Sequence, residues 1–158
     1  MEKSRPLIVF IGNSIFRDDR IGLIVGEKLR DNLMRDGCDV EIVEKTGLNL
    51  IDYLEAREKV VIVDSIMTSR HRIGEVLEID IKGIESETVW SPHYIGVLET
   101  IKLMEMLSLD PPKKLMIIGI EVSDIYTISN EISKELEEKL DTITMEVYYK
   151  IGRFLRED

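Results

Sequence analysis

The chain has 158 residues, 44% hydrophobic and 33% charged, a length and balance that suit one domain with a buried core and exclude a disordered chain. Lys and Arg total 21 against 31 Asp and Glu, a net charge of −10. Such a surface repels polyphosphate, which argues against nucleic-acid binding.

A lone cysteine, Cys38, excludes an intrachain disulfide and suits a reducing compartment. It opens an apolar stretch and reads as a small buried side chain. The residues before Leu7 are polar, and the run Leu7 to Ile11 is too short for a signal core. Nothing approaches the roughly 20 apolar residues of a membrane span. A cytoplasmic protein without a membrane partner is expected.

Pro6 to Ile11 is apolar without alternation, as in a strand covered on both faces. From about Asp19, the spacing of Ile21, Leu23, Ile24, Leu29, Leu33 and Met34 predicts a helix that ends near Asp36-Gly37. Val40 to Val43 is a second strand, Thr46-Gly47 a break, and Leu48 to Ala56 a short helix. Lys59 to Asp64 is a third strand that delivers Asp64 at its carboxyl end. Gly74 to Ile81 alternates apolar and polar residues, the pattern of a half-exposed, antiparallel edge strand.

Gly83 to Val89 reads as a loop. Ser91-Pro92-His93 then starts a helix, with serine as the cap and proline in the first turn. That helix reaches about Ser108, before Asp110-Pro111-Pro112. Lys114 to Ile120 is the last strand and Glu121 to Ile128 a loop. Ser129 is the expected cap of one long helix running to about Phe154. The order β-α-β-α-β-β-α-β-α predicts an α/β fold, with one domain over residues 1–158. The architecture expected is a three-layer α/β/α sandwich around a mostly parallel five-stranded sheet with one antiparallel edge strand.

Three polar positions then fall on the carboxyl edge of the sheet, where open α/β sheets bind ligands. They are Asp18-Asp19 after the first strand, Asp64 at the end of the third, and His93 at the start of a helix. Two carboxylates and an imidazole form an oxygen and nitrogen donor set for a divalent metal. Each residue also has a plainer reading. Asp19 could cap a helix or favour its dipole, and Asp64 could cap a strand end. His93 is less comfortable structurally, because a helix N-terminus disfavours a cation. His71, between two arginines, reads as a solvated loop residue. The dinucleotide fingerprint, the P-loop lysine and the Gly-x-Ser-x-Gly elbow are all absent.

In these residues the chain resembles the hydrogenase maturation endopeptidases, which trim a C-terminal extension from the large subunit of nickel–iron hydrogenases. Four blocks carry the resemblance across nearly the whole chain. The first is Gly12-Asn13 followed by Asp18-Asp19 and Ile21-Gly22. The others are Val63-Asp64-Ser65, Ser91-Pro92-His93-Tyr94-Ile95-Gly96, and Ile118-Gly119-Ile120 with Ile128-Ser129-x-Glu131-Ile132.

The resemblance implies that Asp19, Asp64 and His93 contact nickel and carry out cleavage. It also implies that the nickel arrives in the hydrogenase precursor, so that the free protein binds it weakly or not at all. Asp18 is left either behind the metal contacts or exposed. Two features depart from the family. Arg20 stands where a glycine or small residue is usual, and the second loop, Lys45-Thr46-Gly47-Leu48-Asn49, is poor in glycine. They keep a second function open, a non-catalytic metal-sensing module that binds the precursor without cutting it. Two mechanisms also stay open: a metal that activates water, or a carboxylate that does so while nickel positions the tail.

Overall fold

A computed structural model of the chain describes residues 5–44, 50–79 and 92–158, with backbone only for 92–96. β1 (Leu7–Ile11) is buried along its whole length. β2 (Asp39–Val43) pairs with it in parallel on one side, and β3 (Lys59–Ile66) in parallel on the other. β5 (Lys114–Glu121) runs parallel to β3, and β4 (Val76–Ile79) closes that edge antiparallel to β5. The strand order is β2-β1-β3-β5-β4; five strands with a single antiparallel edge are what the sequence led one to expect.

Helices cover both faces, which is why the central strands show no polar alternation. On one face lie α1 (Ile21–Arg35), the short α4 (Lys134–Glu138) and α5 (Leu140–Arg156). Val25, Leu29 and Leu33 of α1 and Ile143, Val147 and Ile151 of α5 repeat every four residues. They pack against Phe10, Val61 and Val63. On the other face α2 (Ile51–Leu54) and α3 (Pro92–Met106) contribute Leu54, Val97 and Met104, against Val9, Ile11 and Ile62. These are the three layers of an α/β/α sandwich.

The chain leaves β1 toward β2 on one side and later returns to β3 on the other. The carboxyl ends of β1 and β3 therefore flank a switch in strand order, the place where such sheets open a crevice. Gly22 brings α1 close to this point. A Cβ there would lie 2.0 Å from the Ile11 carbonyl oxygen, so only glycine lets the helix start directly on the end of β1.

Several boundaries differ from the sequence expectation: α2 ends at Leu54 rather than Ala56, and β4 starts at Val76 rather than Gly74. β3 continues past Asp64 to Ile66, and β5 includes Glu121. The larger correction concerns the final helix, which is two helices starting at Lys134 rather than one starting after Ser129. The Ser129 hydroxyl accepts the Glu131 N–H at 3.2 Å and closes a local turn instead of capping a helix. At Lys139 the chain breaks with φ −98° and ψ 1°, and the Lys139 ammonium donates to the Ile73 carbonyl at 2.8 Å. The apolar stripe of α5 is as expected from the sequence, and a turn at Ser129 and a break at Lys139 stand where one continuous helix was expected.

The predicted cap Ser91, the loop at Gly83 to Val89 and the second loop at 45–49 lie outside the described residues. Among those described, no helix is long and apolar enough to cross a membrane. Cys38 is buried, as expected. Burial, aided by the Asp36 carboxylate, pushes its thiol up to about 11 and keeps it neutral at physiological pH.

Candidate functional site

The segment after β1 folds back onto the strand end. The Asn13 N–H donates to the Asp19 carbonyl at 3.0 Å. Gly12 allows this closeness, since a Cβ there would lie 2.7 Å from the same carbonyl oxygen. A single 3-10 turn, Asp18–Arg20, then leads into α1. It buries both carboxylates, with Asp18 at 0% exposure and Asp19 at 5%.

The two neighbours do different things. Asp18 faces the segment after β5. Its carboxylate accepts the Ser133 N–H at 2.7 Å and the Asp124 N–H at 3.1 Å, with the Ser123 hydroxyl more distant at 3.4 Å. Asp18 is thus neither exposed nor a helix cap. It fastens the loop before α4 to the end of β1. Asp19 instead faces β3, where its Oδ1 accepts the Ser65 hydroxyl at 2.7 Å.

Asp64 is fully buried, and its Oδ1 accepts the Ser65 N–H at 2.7 Å. Alternation along β3 puts Val61, Val63 and Ser65 on the α1 face, and Ile62, Asp64 and Ile66 on the face of α2 and α3. Ser65 therefore links the carboxylates, one through its N–H and the other through its O–H. Ser65 has no role that the sequence pattern marks. Its only signal was a small hydroxyl after a run of valine and isoleucine. We expect Ser65→Ala to lower stability by about 1 kcal/mol, because the Asp19 carboxylate loses a hydroxyl donor. A thermal melt checks this, and an unchanged melt would show that the bond does not support the fold.

His93 lies in the first turn of α3, at the helix start expected from Ser91-Pro92; its side chain is outside the described residues. Among those described, no group of three or more His, Cys, Asp and Glu side chains is arranged to hold a metal. Glu121 sits on the same sheet edge, fully buried. Its carboxylate accepts the Thr68 N–H at 2.9 Å and the Thr68 hydroxyl, and so fixes the segment that leaves β3. His71 lies in an exposed loop, 3.5 Å from Glu75.

Arg20, directly after the acidic pair, reaches across the rim. Its guanidinium donates to the carbonyls of Asn130 at 2.7 Å, Ser129 at 2.5 Å and Ser14. The Ser14 N–H donates to Glu44 at 2.6 Å, and this hydrogen bond holds the Glu44 carboxyl below its usual range. Asp124 is likewise lowered, by hydrogen bonds from Thr127 and then Tyr126. Both groups have folded values below their unfolded ones. Their contribution to the rim is complete above the ordinary carboxylate range and is lost as pH falls through the lowered values.

A sequence profile of the hydrogenase maturation protease family matches residues 24–149. Asp64 and His93 fall inside that span, and Asp19 just before it. No curated protein sequence matches the chain. Among solved structures, the hydrogenase maturating endopeptidase HybD from E. coli superposes with a TM-score of 0.72 at 20% identity, over 94% of this chain and 93% of that one. The [NiFe] hydrogenase maturation protease HybD from Thermococcus kodakarensis gives 0.70 at 26%, over 93% and 98%. An endopeptidase from Escherichia coli, solved in solution, gives 0.73 at 19%, over 90% and 89%. Those at or below 20% identity share the fold.

Proposed function

The chain belongs to the hydrogenase maturation protease family, and from that premise we propose that it removes the C-terminal extension of a nickel–iron hydrogenase large-subunit precursor after nickel insertion. The observation that carries this reading is the pair of buried carboxylates, Asp19 and Asp64, joined through Ser65 where β1 and β3 end. Burying a carboxylate costs desolvation, and a reacting site has use for carboxylates so placed.

In this reading the nickel belongs to the substrate. The donor set fits it: two carboxylates near the strand ends, with His93 in the first turn of α3, supply oxygen and nitrogen ligands suited to a borderline divalent ion. When bound, the ion would supply positive charge beside the scissile carbonyl. Asp19, Asp64 and His93 would hold it and align the tail. A carboxylate of the pair takes the proton of the attacking water, and the leaving amine receives a proton in turn. Ser65 keeps Asp19 oriented for this. Arg20, with its three carbonyl contacts, fastens the rim. The reading places the protein in the cytoplasm, where the single thiol meets no oxidising partner.

The test mixes the protein with nickel-loaded and nickel-free precursor and reads the mass of the precursor. A shortened C-terminus is expected only with nickel loaded. If neither form is shortened, while another protease of the family cuts the same precursor, the reading fails.

A further inference from the structure

The segment after β1 and the one after β5 form a ribbon on the rim of the site. Phe16 and Ile128 make an antiparallel bridge. The Arg17 N–H donates to the Thr127 carbonyl at 2.8 Å, and the Ser129 N–H to the Ile15 carbonyl at 3.0 Å. Arg20 clamps the ribbon at its open end by gripping carbonyls of both segments, Ser14 on one and Ser129 and Asn130 on the other. From below, Ile125 enters the core at 8% exposure.

Despite this fastening, Ile15 is 55% exposed, Tyr126 64% and Ile128 77%. Ile128 lies opposite Phe16 and Ile15 opposite Ser129, so both faces of the ribbon carry exposed apolar side chains. They contribute little to the fold, which already has Ile125 as its anchor here. A short loop spends a three-carbonyl clamp on holding them in water. The ribbon also continues directly into Asp18 and Asp19, so a polypeptide held at the carboxylates would have it as a neighbour.

We propose that Arg20 is a positioning residue that holds this ribbon rigid, so that Tyr126 and Ile128 form the wall on which the substrate polypeptide docks beside Asp19. The occupant is the precursor chain itself, and the proposal rests on the processing reading above. Rigid presentation lowers the ordering cost of docking, and loss of the clamp returns that cost to the binding step.

The test compares Arg20→Gln and Ile128→Ser with the wild type on nickel-loaded precursor. Both variants are expected to raise KM about tenfold with kcat changed less than about twofold, the mark of lost binding that is equal in ground and transition states. Ile128→Ser should keep the wild-type melting temperature, since its side chain is exposed. A role in stability alone would instead lower the melting temperature of Arg20→Gln and the amount of active enzyme at unchanged KM. Unchanged KM in both variants overturns the wall while leaving the processing reading intact. If the wild type binds precursor without cutting it, the processing reading fails. Weaker precursor binding by both variants would then sustain the wall, and equal binding would end it. A wild type that neither binds nor cuts overturns both.

Discussion

Asp19→Asn and Asp64→Asn are each expected to lower precursor cleavage by roughly 10²–10⁴-fold, the span that a positioned acid–base group contributes. Asparagine keeps the shape of the side chain and an oxygen acceptor. The Ser65 hydroxyl can still donate at position 19, and the Ser65 N–H at position 64. What is removed is the negative charge that would accept a proton and contact a cation. The folded state should change by no more than about 1 kcal/mol, the usual scale of one hydrogen bond. The measurement is single-turnover cleavage read by mass, with the thermal melt as control. Wild-type cleavage by either variant takes that residue out of the site. The sequence motif carries the same expectation to His93→Ala.

Asp18→Ala is expected to do the opposite: a large loss of stability with a smaller effect on chemistry. Asp18 is fully buried and holds the N–H groups of Asp124 and Ser133. Alanine leaves both donors without that acceptor, at a cost of about 2–4 kcal/mol. In a domain of this size that lowers the melting temperature by roughly 5–15 °C. Well below the transition, processing should fall far less than for Asp19→Asn, because Asp19 keeps Ser65. An unchanged melt would show that the Asp18 bonds do not support the fold. The sequence had left Asp18 either behind the metal contacts or exposed, and the structure buries it. The correction comes from partners 106 and 115 residues away.

Much of the architecture was legible because it follows from local pattern. Val60 to Val63 reads as a doubly covered strand from four adjacent apolar side chains. Val25, Leu29 and Leu33 show the buried stripe of α1 from their spacing. Alternation at Val76 to Ile79 marks the antiparallel edge, since a half-exposed strand must alternate. The positions of Asp19 and Asp64 followed too, because chain polarity in a parallel sheet sends every strand end to one edge. The final helix misled for the same local reason. Ser129 has the look of a cap, but its hydroxyl closes a turn, and the break falls at Lys139, whose ammonium bonds the Ile73 carbonyl 66 residues earlier.

The sequence by itself therefore determined the layers, the strand directions and the edge on which two carboxylates gather. Periodicity and polarity are properties of neighbouring residues. The tertiary structure alone decided which of two adjacent aspartates supports the fold and which faces β3. It also decided that Ser65 joins Asp19 to Asp64, and that Arg20 clamps carbonyls 109 and 110 residues away. Each of these is a hydrogen bond between distant segments. Such a bond is set by the closure of the whole chain around its core, and spacing along the sequence carries no record of it.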